Sequence, residues 1–182
     1  SLLTQTNVLA YNKGGGEYKT TLIYEITAQN GIDIFKEYNL NLSGDYLIPK
    51  SEIIKPDGEI VPADKNGSSL VFHGLEIGDV VYINYEARFS RYGRFYKDYI
   101  LSHGFHGYHP YIKNGYRFLT KDATVNYVLT NDKNVSYKKH KKGDYFVHEW
   151  EVNNVPGVAV GEDYMPSFND IVPRLHISSI SN

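Results

Sequence analysis

The segment from Asp79 to Phe89 alternates between two kinds of side chain, and this pattern constrains the fold more than any other feature of the chain. One set of positions is mainly apolar and the other mainly polar: Val81, Ile83, Tyr85, Ala87 and Phe89 against Tyr82, Asn84, Glu86 and Arg88. A repeat of two residues is typical of a β-strand with one buried face. The residues from Leu70 predict a second strand. A tight turn at 76–79 would join the two into a hairpin spanning Leu70 to Phe89.

Strand signals continue along most of the chain. Glu17 to Gln29 alternates in the same way, and Asn30-Gly31 predicts a two-residue hairpin turn with a return strand over 32–42. Pro56-Asp57-Gly58 predicts another turn, because proline presets φ and glycine accepts positive φ. Further short strands are predicted at 51–55, 95–101, 116–119, 123–130, 135–138, 145–152 and 175–178. The strands between 123 and 152 are predicted to form a meander, and residues 155–173 are predicted to be extended coil.

Helical periodicity is nearly missing from the sequence. In windows of about 12 residues, apolar positions do not recur at helical spacing between suitable caps. The sequence therefore predicts an all-β protein, an antiparallel β-sandwich of about a dozen short strands with little or no helix. With 182 residues and no low-complexity linker, one β-sandwich domain over 1–182 is the simplest organisation.

Composition excludes several functions. The chain contains no cysteine, so it has no thiol nucleophile, disulfide or thiolate ligand for zinc. The net charge is −2, and the one dense basic run, Lys138 to Lys142, is interpreted as a solvated hairpin turn. Binding to nucleic acid is therefore not expected. No run of about 18 apolar residues predicts a membrane span, and no cofactor is predicted.

Several segments, in order, resemble a known bacterial family. They are Lys55-Pro56-Asp57-Gly58 with Val61, the Gly-Leu-Glu-x-Gly-Asp-Val-Val-x-x-x-Tyr core of 74–85, Gly93-Arg94-Phe95, Trp150 to Pro156, Glu162 to Pro166, and Val172 to Ser178. Together they resemble domain of unknown function 3857, which precedes a transglutaminase-like domain in exported bacterial proteins. The segment from Tyr99 to Tyr116 departs most from that pattern.

The resemblance implies a β-sandwich beside an enzyme, with an exported, periplasmic or cell-surface location. The transglutaminase-like domain of such proteins would supply a Cys-His-Asp triad, which this chain cannot supply without cysteine. The expected partner is thus a C-terminal transglutaminase-like domain of the same polypeptide, following Asn182. On this interpretation the chain is not an enzyme.

Three histidines form the most unusual local motif. His103, His106 and His109 are three residues apart, and imidazoles are good zinc ligands. On a strand, however, His106 would point away from the other two, and the segment contains no Asp or Glu to orient a ring. An exposed aromatic loop is the favoured interpretation, and a zinc site is the remote alternative.

A second cluster combines arginine with tyrosine, side chains that together recognise carboxylates, glycans and peptides. The predicted binding residues are Arg88, Arg91, Tyr92, Arg94, Tyr96, Tyr108 and Glu162. The alternatives are solvated arginines at a strand end, a surface that docks the enzyme domain, and, for Glu162, a carboxylate that bonds backbone N–H groups. Trp150 is predicted to be a core aromatic.

Two functions follow as hypotheses. The first is a non-catalytic accessory domain that positions substrate for, or packs on, a transglutaminase-like catalytic domain. The second is an autonomous β-sandwich that binds a glycan or peptide in an aromatic groove.

Overall fold

Fourteen strands and two short helices make up the described part of the chain. The computed structural model describes residues 2–12, 14–131, 134–158 and 167–179. In chain order the elements are β1 (Leu2–Asn12), β2 (Gly15–Glu25), α1 (Gln29–Phe35), β3 (Glu37–Asn39), β4 (Asp45–Ile54), β5 (Ile60–Pro62), β6 (Asp64–Asn66), β7 (Ser69–Val71), β8 (Val80–Ser90), β9 (Ile100–Gly104), β10 (Tyr111–Thr120), β11 (Asn126–Thr130), β12 (Ser136–Lys142), β13 (Tyr145–Val155), α2 (Phe168–Ile171) and β14 (Arg174–Ser178).

The strands form one large sheet and two small ones. Eight strands pair in the order β12-β13-β10-β1-β2-β8-β4-β5, while β11-β14-β9 and β3-β7-β6 form three-stranded sheets. Neighbouring strands are antiparallel except β1 and β10, which run parallel. The predicted all-β fold class is confirmed.

Both small sheets cover the same face of the large sheet. In β1, Leu3 belongs to one buried cluster, and Leu9 and Tyr11 belong to another. These positions are separated by even numbers of residues, so their side chains leave the strand on one side. Leu70 of β7 lies in the first cluster and Leu175 of β14 in the second, and neither is exposed. The molecule is therefore a sandwich whose second layer is divided in two.

The opposite face of the large sheet carries pairs of opposite charge. Lys113 reaches Glu151 at 2.6 Å across β10 and β13, and Lys19 reaches Glu86 at 2.7 Å across β2 and β8. Each pair is partly exposed, so its net stabilisation is below about 1 kcal/mol. These pairs make this face hydrophilic and help to keep the strands in register.

The predicted hairpin at Asn30-Gly31 is wrong, because these residues lie in α1. Gly31 and Phe35 are one helical turn apart, and both are buried. The Phe35 ring packs 4.3 Å from Tyr24 and 5.0 Å from Tyr38, measured between ring centres. Aromatic burial of this size outweighs the local preference of Asn-Gly for a turn. The return strand is reduced to β3, at 37–39.

The hairpin predicted over Leu70 to Phe89 is also wrong, although its turn is present. The strand β7 pairs with β3 and β6 in a small sheet. In contrast, β8 lies between β2 and β4 in the large one. The turn at 76–79 therefore carries the chain from one layer to the other. The predicted inward positions of β8 are confirmed for Val81, Ile83 and Ala87, which are at most 3% exposed.

Several other assignments differ from the sequence prediction. The strand β1 was not predicted, yet it lies within the large sheet. The predicted meander is interrupted, because β11 belongs to a small sheet while β12 and β13 form a hairpin in the large one. The run Lys138 to Lys142 belongs to the exposed strand β12 rather than to a turn. Within the predicted coil of 155–173, the described residues include the short helix α2.

The turn that connects the layers depends on a buried carboxylate. The Asp79 side chain is 1% exposed. Its Oδ2 accepts hydrogen bonds from the Glu76 backbone N–H at 2.7 Å and from Lys55 Nζ at 2.9 Å. We expect Asp79→Ala to lower the free energy of unfolding by about 2 kcal/mol, because charge-assisted hydrogen bonds are lost in a buried setting. Urea denaturation measures this change.

The matched control is Glu76→Ala. The Glu76 carboxylate also contacts Lys55, at 3.0 Å, but its side chain is 76% exposed. Its removal should change stability by less than about 0.5 kcal/mol. Equal losses in the two variants would contradict the role assigned to Asp79.

Candidate functional site

The loop between β8 and β9 contains four of the residues predicted to bind a ligand. Arg91 Nη1 donates a hydrogen bond of 2.6 Å to the Asp98 carbonyl, and the Arg91 backbone N–H donates one of 2.7 Å to Gly14. The guanidinium lies 5.8 Å from the centre of the Phe89 ring, within cation–π range. Arg91 therefore braces the loop against the sheet.

This loop is formed by turns, although a strand was predicted from Phe95. The Tyr96 backbone N–H bonds the Gly93 carbonyl at 3.3 Å, and that of Asp98 bonds the Phe95 carbonyl at 3.0 Å. The following strand begins only at Ile100. The turns leave the Phe95 side chain in solvent.

An open cavity of about 470 Å³ lies beside this loop. Its lining residues are Arg91, Phe95, Asp98, Tyr99 and Ile100. Phe95 and Ile100 are each 69% exposed, whereas Tyr99 is buried beneath them. Large apolar side chains exposed side by side are typical of contact surfaces. We call Phe95 and Ile100, with the cavity between them, the apolar patch.

Cations lie over the neighbouring aromatic rings. The Arg94 guanidinium is 5.5 Å from the centre of the Phe95 ring, and Lys97 Nζ is 5.4 Å from that of Tyr96. Tyr92 is 88% exposed. The predicted combination of arginine and aromatic side chains is thus present at one end of the sandwich, as a shallow surface rather than a deep groove.

The remaining predicted residues lie elsewhere. Arg88 points to the charged face of the large sheet, where its Nε is 3.8 Å from Glu17. Tyr108 is exposed in the loop between β9 and β10 and does not line the cavity beside Arg91. Glu162 lies outside the described residues. The structure therefore does not bring the predicted set together.

The three histidines face three different environments. His103 bonds through Nε2 to Asn114 Oδ1 at 3.1 Å and stacks on Tyr116. His106 borders a second cavity, and the His109 ring lies 6.4 Å from Tyr24. Among the described residues, no three His, Cys, Asp or Glu side chains are grouped so that they could hold a metal ion.

The interpretation of 103–109 as an exposed aromatic loop is wrong for its first half. Phe105 is completely buried, and its ring meets the edge of His103 at 4.8 Å. Phe105 belongs to the buried cluster that also contains Leu175. The sequence did not reveal this, since three histidines and two glycines suggested an exposed chain.

The second cavity, of about 490 Å³, lies where β9 and β11 end and β14 begins. Its lining residues are His106, Asn131, Asn134, Val152, Asn153, Asn154, Val155, Pro156, Ile171 and Pro173. Asn131 Nδ2 donates hydrogen bonds to the carbonyls of Asp170 at 2.8 Å and Val172 at 3.4 Å, which fixes this end of the small sheet. We call this site the asparagine cavity.

The imidazole of His106 is the most distinctive polar group there. Its Nδ1 is buried and has no hydrogen-bond partner among the described residues. Burial lowers the pKa of His106, so the ring is neutral at pH 7. A neutral imidazole can donate one hydrogen bond and accept another.

Sequence reasoning missed the asparagine cavity. Asn131 lies within the segment predicted as a meander, and Asn153-Asn154 lies within the Trp150 to Pro156 part of the resemblance. The available signal was the placement of asparagines at or beyond strand ends, where left-handed backbone is common. Which of these ends meet in space depends on pairing across three sheets.

No helix in the described part of the chain has the length and apolar character needed to cross a membrane. Neither the family models nor the curated proteins include a match to the chain.

Solved structures do show the fold. A crystal structure of a "putative protease" from Parabacteroides distasonis superposes with a TM-score of 0.75 at 16% sequence identity. The match covers 99% of this chain and 40% of that chain. This chain is therefore similar in fold to about two fifths of a larger protein.

Proposed function

We propose that this chain is a non-catalytic accessory β-sandwich domain, which packs on the catalytic domain of an exported transglutaminase-like protein and helps to position its substrate. The apolar patch is the observation that carries the proposal. The similarity in fold to 40% of a longer chain, described as a "putative protease", supports it. The absence of cysteine agrees with catalysis by another domain.

The chemistry of the apolar patch favours a protein partner. Phe95 and Ile100 expose most of their surface beside an open cavity, which a second protein surface would remove from water. Arg91 and Asp98 border the same cavity and would contribute polar groups to the rim of such an interface. An apolar centre with a polar rim is the usual organisation of a protein interface.

The first test is the coding sequence beyond Asn182. We expect a following domain with Cys, His and Asp at triad spacing. Hydrogen exchange then compares residues 1–182 with the full-length protein. Amides over 93–101 should exchange at least about tenfold more slowly in the full-length protein, because the docked domain covers them.

A double variant in the full-length protein sharpens this test. Phe95→Ser with Ile100→Ser should abolish the additional protection, because it removes the apolar centre of the interface. Ile77→Ser is the matched control, since Ile77 is 59% exposed in a different turn. A stop codon after Asn182, or equal protection in the two variants, would contradict the accessory role.

The asparagine cavity favours a second candidate function, an autonomous domain that binds a glycan or peptide. On that hypothesis the isolated chain binds its ligand at full affinity, and substitutions in the apolar patch do not change that affinity.

A further inference from the structure

Left-handed backbone is concentrated at the asparagine cavity. In the described chain, four residues other than glycine have positive φ, and three of them line this cavity: Asn131 at 52°, Asn134 at 71° and Asn154 at 54°. The fourth is Asn41, in an exposed loop. Such backbone costs free energy in any residue except glycine, and it tends to cluster at functional sites.

The described part of the lining is uncharged but rich in hydrogen-bonding groups. No described Lys, Arg, Asp or Glu borders the cavity, whereas four carboxamides and one imidazole do. The carboxamides of Asn134 and Asn154 make no hydrogen bond to another described residue. Each offers an acceptor and two donors. A site of this kind selects a neutral ligand that both donates and accepts hydrogen bonds.

The apolar part of the lining identifies the class of that ligand. Val152, Val155, Pro156, Ile171 and Pro173 form an aliphatic wall. No Tyr, Trp or Phe is among the lining residues that the structure describes, so these residues offer no flat ring for the C–H face of a sugar. An aliphatic wall suits an apolar amino-acid side chain. A carboxamide matches the N–H and C=O of a peptide bond through two parallel hydrogen bonds.

We propose that the asparagine cavity binds an extended, uncharged polypeptide segment. Asn134 and Asn154 pair with its backbone, His106 accepts or donates one further hydrogen bond, and the aliphatic wall holds an apolar side chain. A volume of about 490 Å³ is within the usual range for a small-ligand site. The inference rests on the proposed function in one respect, since it names polypeptide as the substrate that the domain positions.

The test is a nuclear magnetic resonance titration of the 182-residue chain. The probe is a pool of pentapeptides with uncharged side chains, acetylated at the N terminus and amidated at the C terminus. The side-chain amide signals of Asn134 and Asn154 and the ring signals of His106 should shift on addition. Asn154→Gly should weaken binding about tenfold, which is the effect of losing one pair of hydrogen bonds.

Substitution by glycine keeps the backbone unchanged, because glycine adopts positive φ without strain. Asn41→Gly is the matched control, and it should leave the affinity for the pool unchanged. The inference is overturned if the peptides shift none of these signals, if Asn154→Gly and Asn41→Gly bind equally, or if chitin oligosaccharides shift the signals and peptides do not. None of these outcomes depends on the apolar patch, so failure here is distinct from failure of the docking test.

Discussion

Replacing Trp150 by alanine should lower the free energy of unfolding by about 4 kcal/mol, the largest single-residue effect expected in this protein. The indole is completely buried. Its ring centre lies 5.2 Å from those of both Tyr127 and Tyr137, and 5.9 Å from that of His148. Tyr137 belongs to β12, His148 to β13 and Tyr127 to the small sheet that contains β11. The substitution would therefore leave a cavity where the two layers meet.

Two further variants separate packing from hydrogen bonding. The indole Nε1 is buried and has no partner among the described residues. Trp150→Phe removes this unsatisfied donor and retains an aromatic ring. It should therefore lower the free energy of unfolding by less than half as much as Trp150→Ala does. Tyr92→Ala is the surface control, because Tyr92 is 88% exposed, and it should change stability by less than about 0.5 kcal/mol.

Urea denaturation followed by tyrosine fluorescence measures all three variants on the same scale. Trp150→Ala should lower the midpoint without a change in slope, provided that unfolding remains two-state. A loss below about 1 kcal/mol would show that the small sheet does not pack on β13 at this position.

Local alternation was a reliable guide to which residues form strands. It placed β2 and β8 and their buried faces, because each has apolar residues on one side and charged pairs on the other. It failed for β1, where Gln5 and Asn7 occupy the inward face that Leu3 and Leu9 share. Asn7 Oδ1 accepts a hydrogen bond from Thr20 at 2.9 Å. The buried Nδ2 of Asn7 has no partner among the described residues. Polar side chains on the inward face of a strand conceal the alternation that predicts it.

Pairing between strands could not be predicted for a different reason. The turn at 76–79 was identified correctly, yet β7 and β8 lie in different sheets, because a turn sequence does not specify what its flanking strands bond to. The two cavities illustrate the same limit. The apolar patch combines residues within ten positions of one another, and part of it was predicted. The asparagine cavity combines residues from 106 to 173, and it was not.

Acidification should destabilise the protein through His103. Its ring lies between Phe105 and Tyr116, with centroid distances of 4.8 Å to each. Burial lowers the pKa of His103 from 6.5 to about 4, and the hydrogen bond to Asn114 opposes this shift only in part. Above pH 6.5 the ring is neutral in both the folded and the unfolded chain. Between pH 6.5 and 4 the unfolded chain binds a proton that the folded chain does not, so stability falls as the pH falls.

The expected loss between pH 7.5 and pH 5 is about 2 kcal/mol from His103 alone. Burial also lowers the pKa of His106, His109 and His148, so their contributions have the same sign. The pKa of Glu151 is lowered chiefly by its hydrogen bond from Lys113. Its contribution is lost only at lower pH, so measurements above pH 5 isolate the histidines.

The diagnostic measurement is the slope of unfolding free energy against pH in the wild type, His103→Gln and His103→Phe. Glutamine retains a donor for Asn114 and phenylalanine retains a stacked ring, so each loses different contacts at pH 7.5. Neither side chain titrates, so both variants should lose about 2 kcal/mol less than the wild type between pH 7.5 and 5. In the wild type, the ring proton signals of His103 should titrate with a midpoint near 4. The prediction is contradicted if the His103 signals titrate with a midpoint near 6.5 and the wild type and both variants show the same slope of unfolding free energy against pH. That result would mean that water reaches this ring and that Phe105 and Tyr116 do not enclose it.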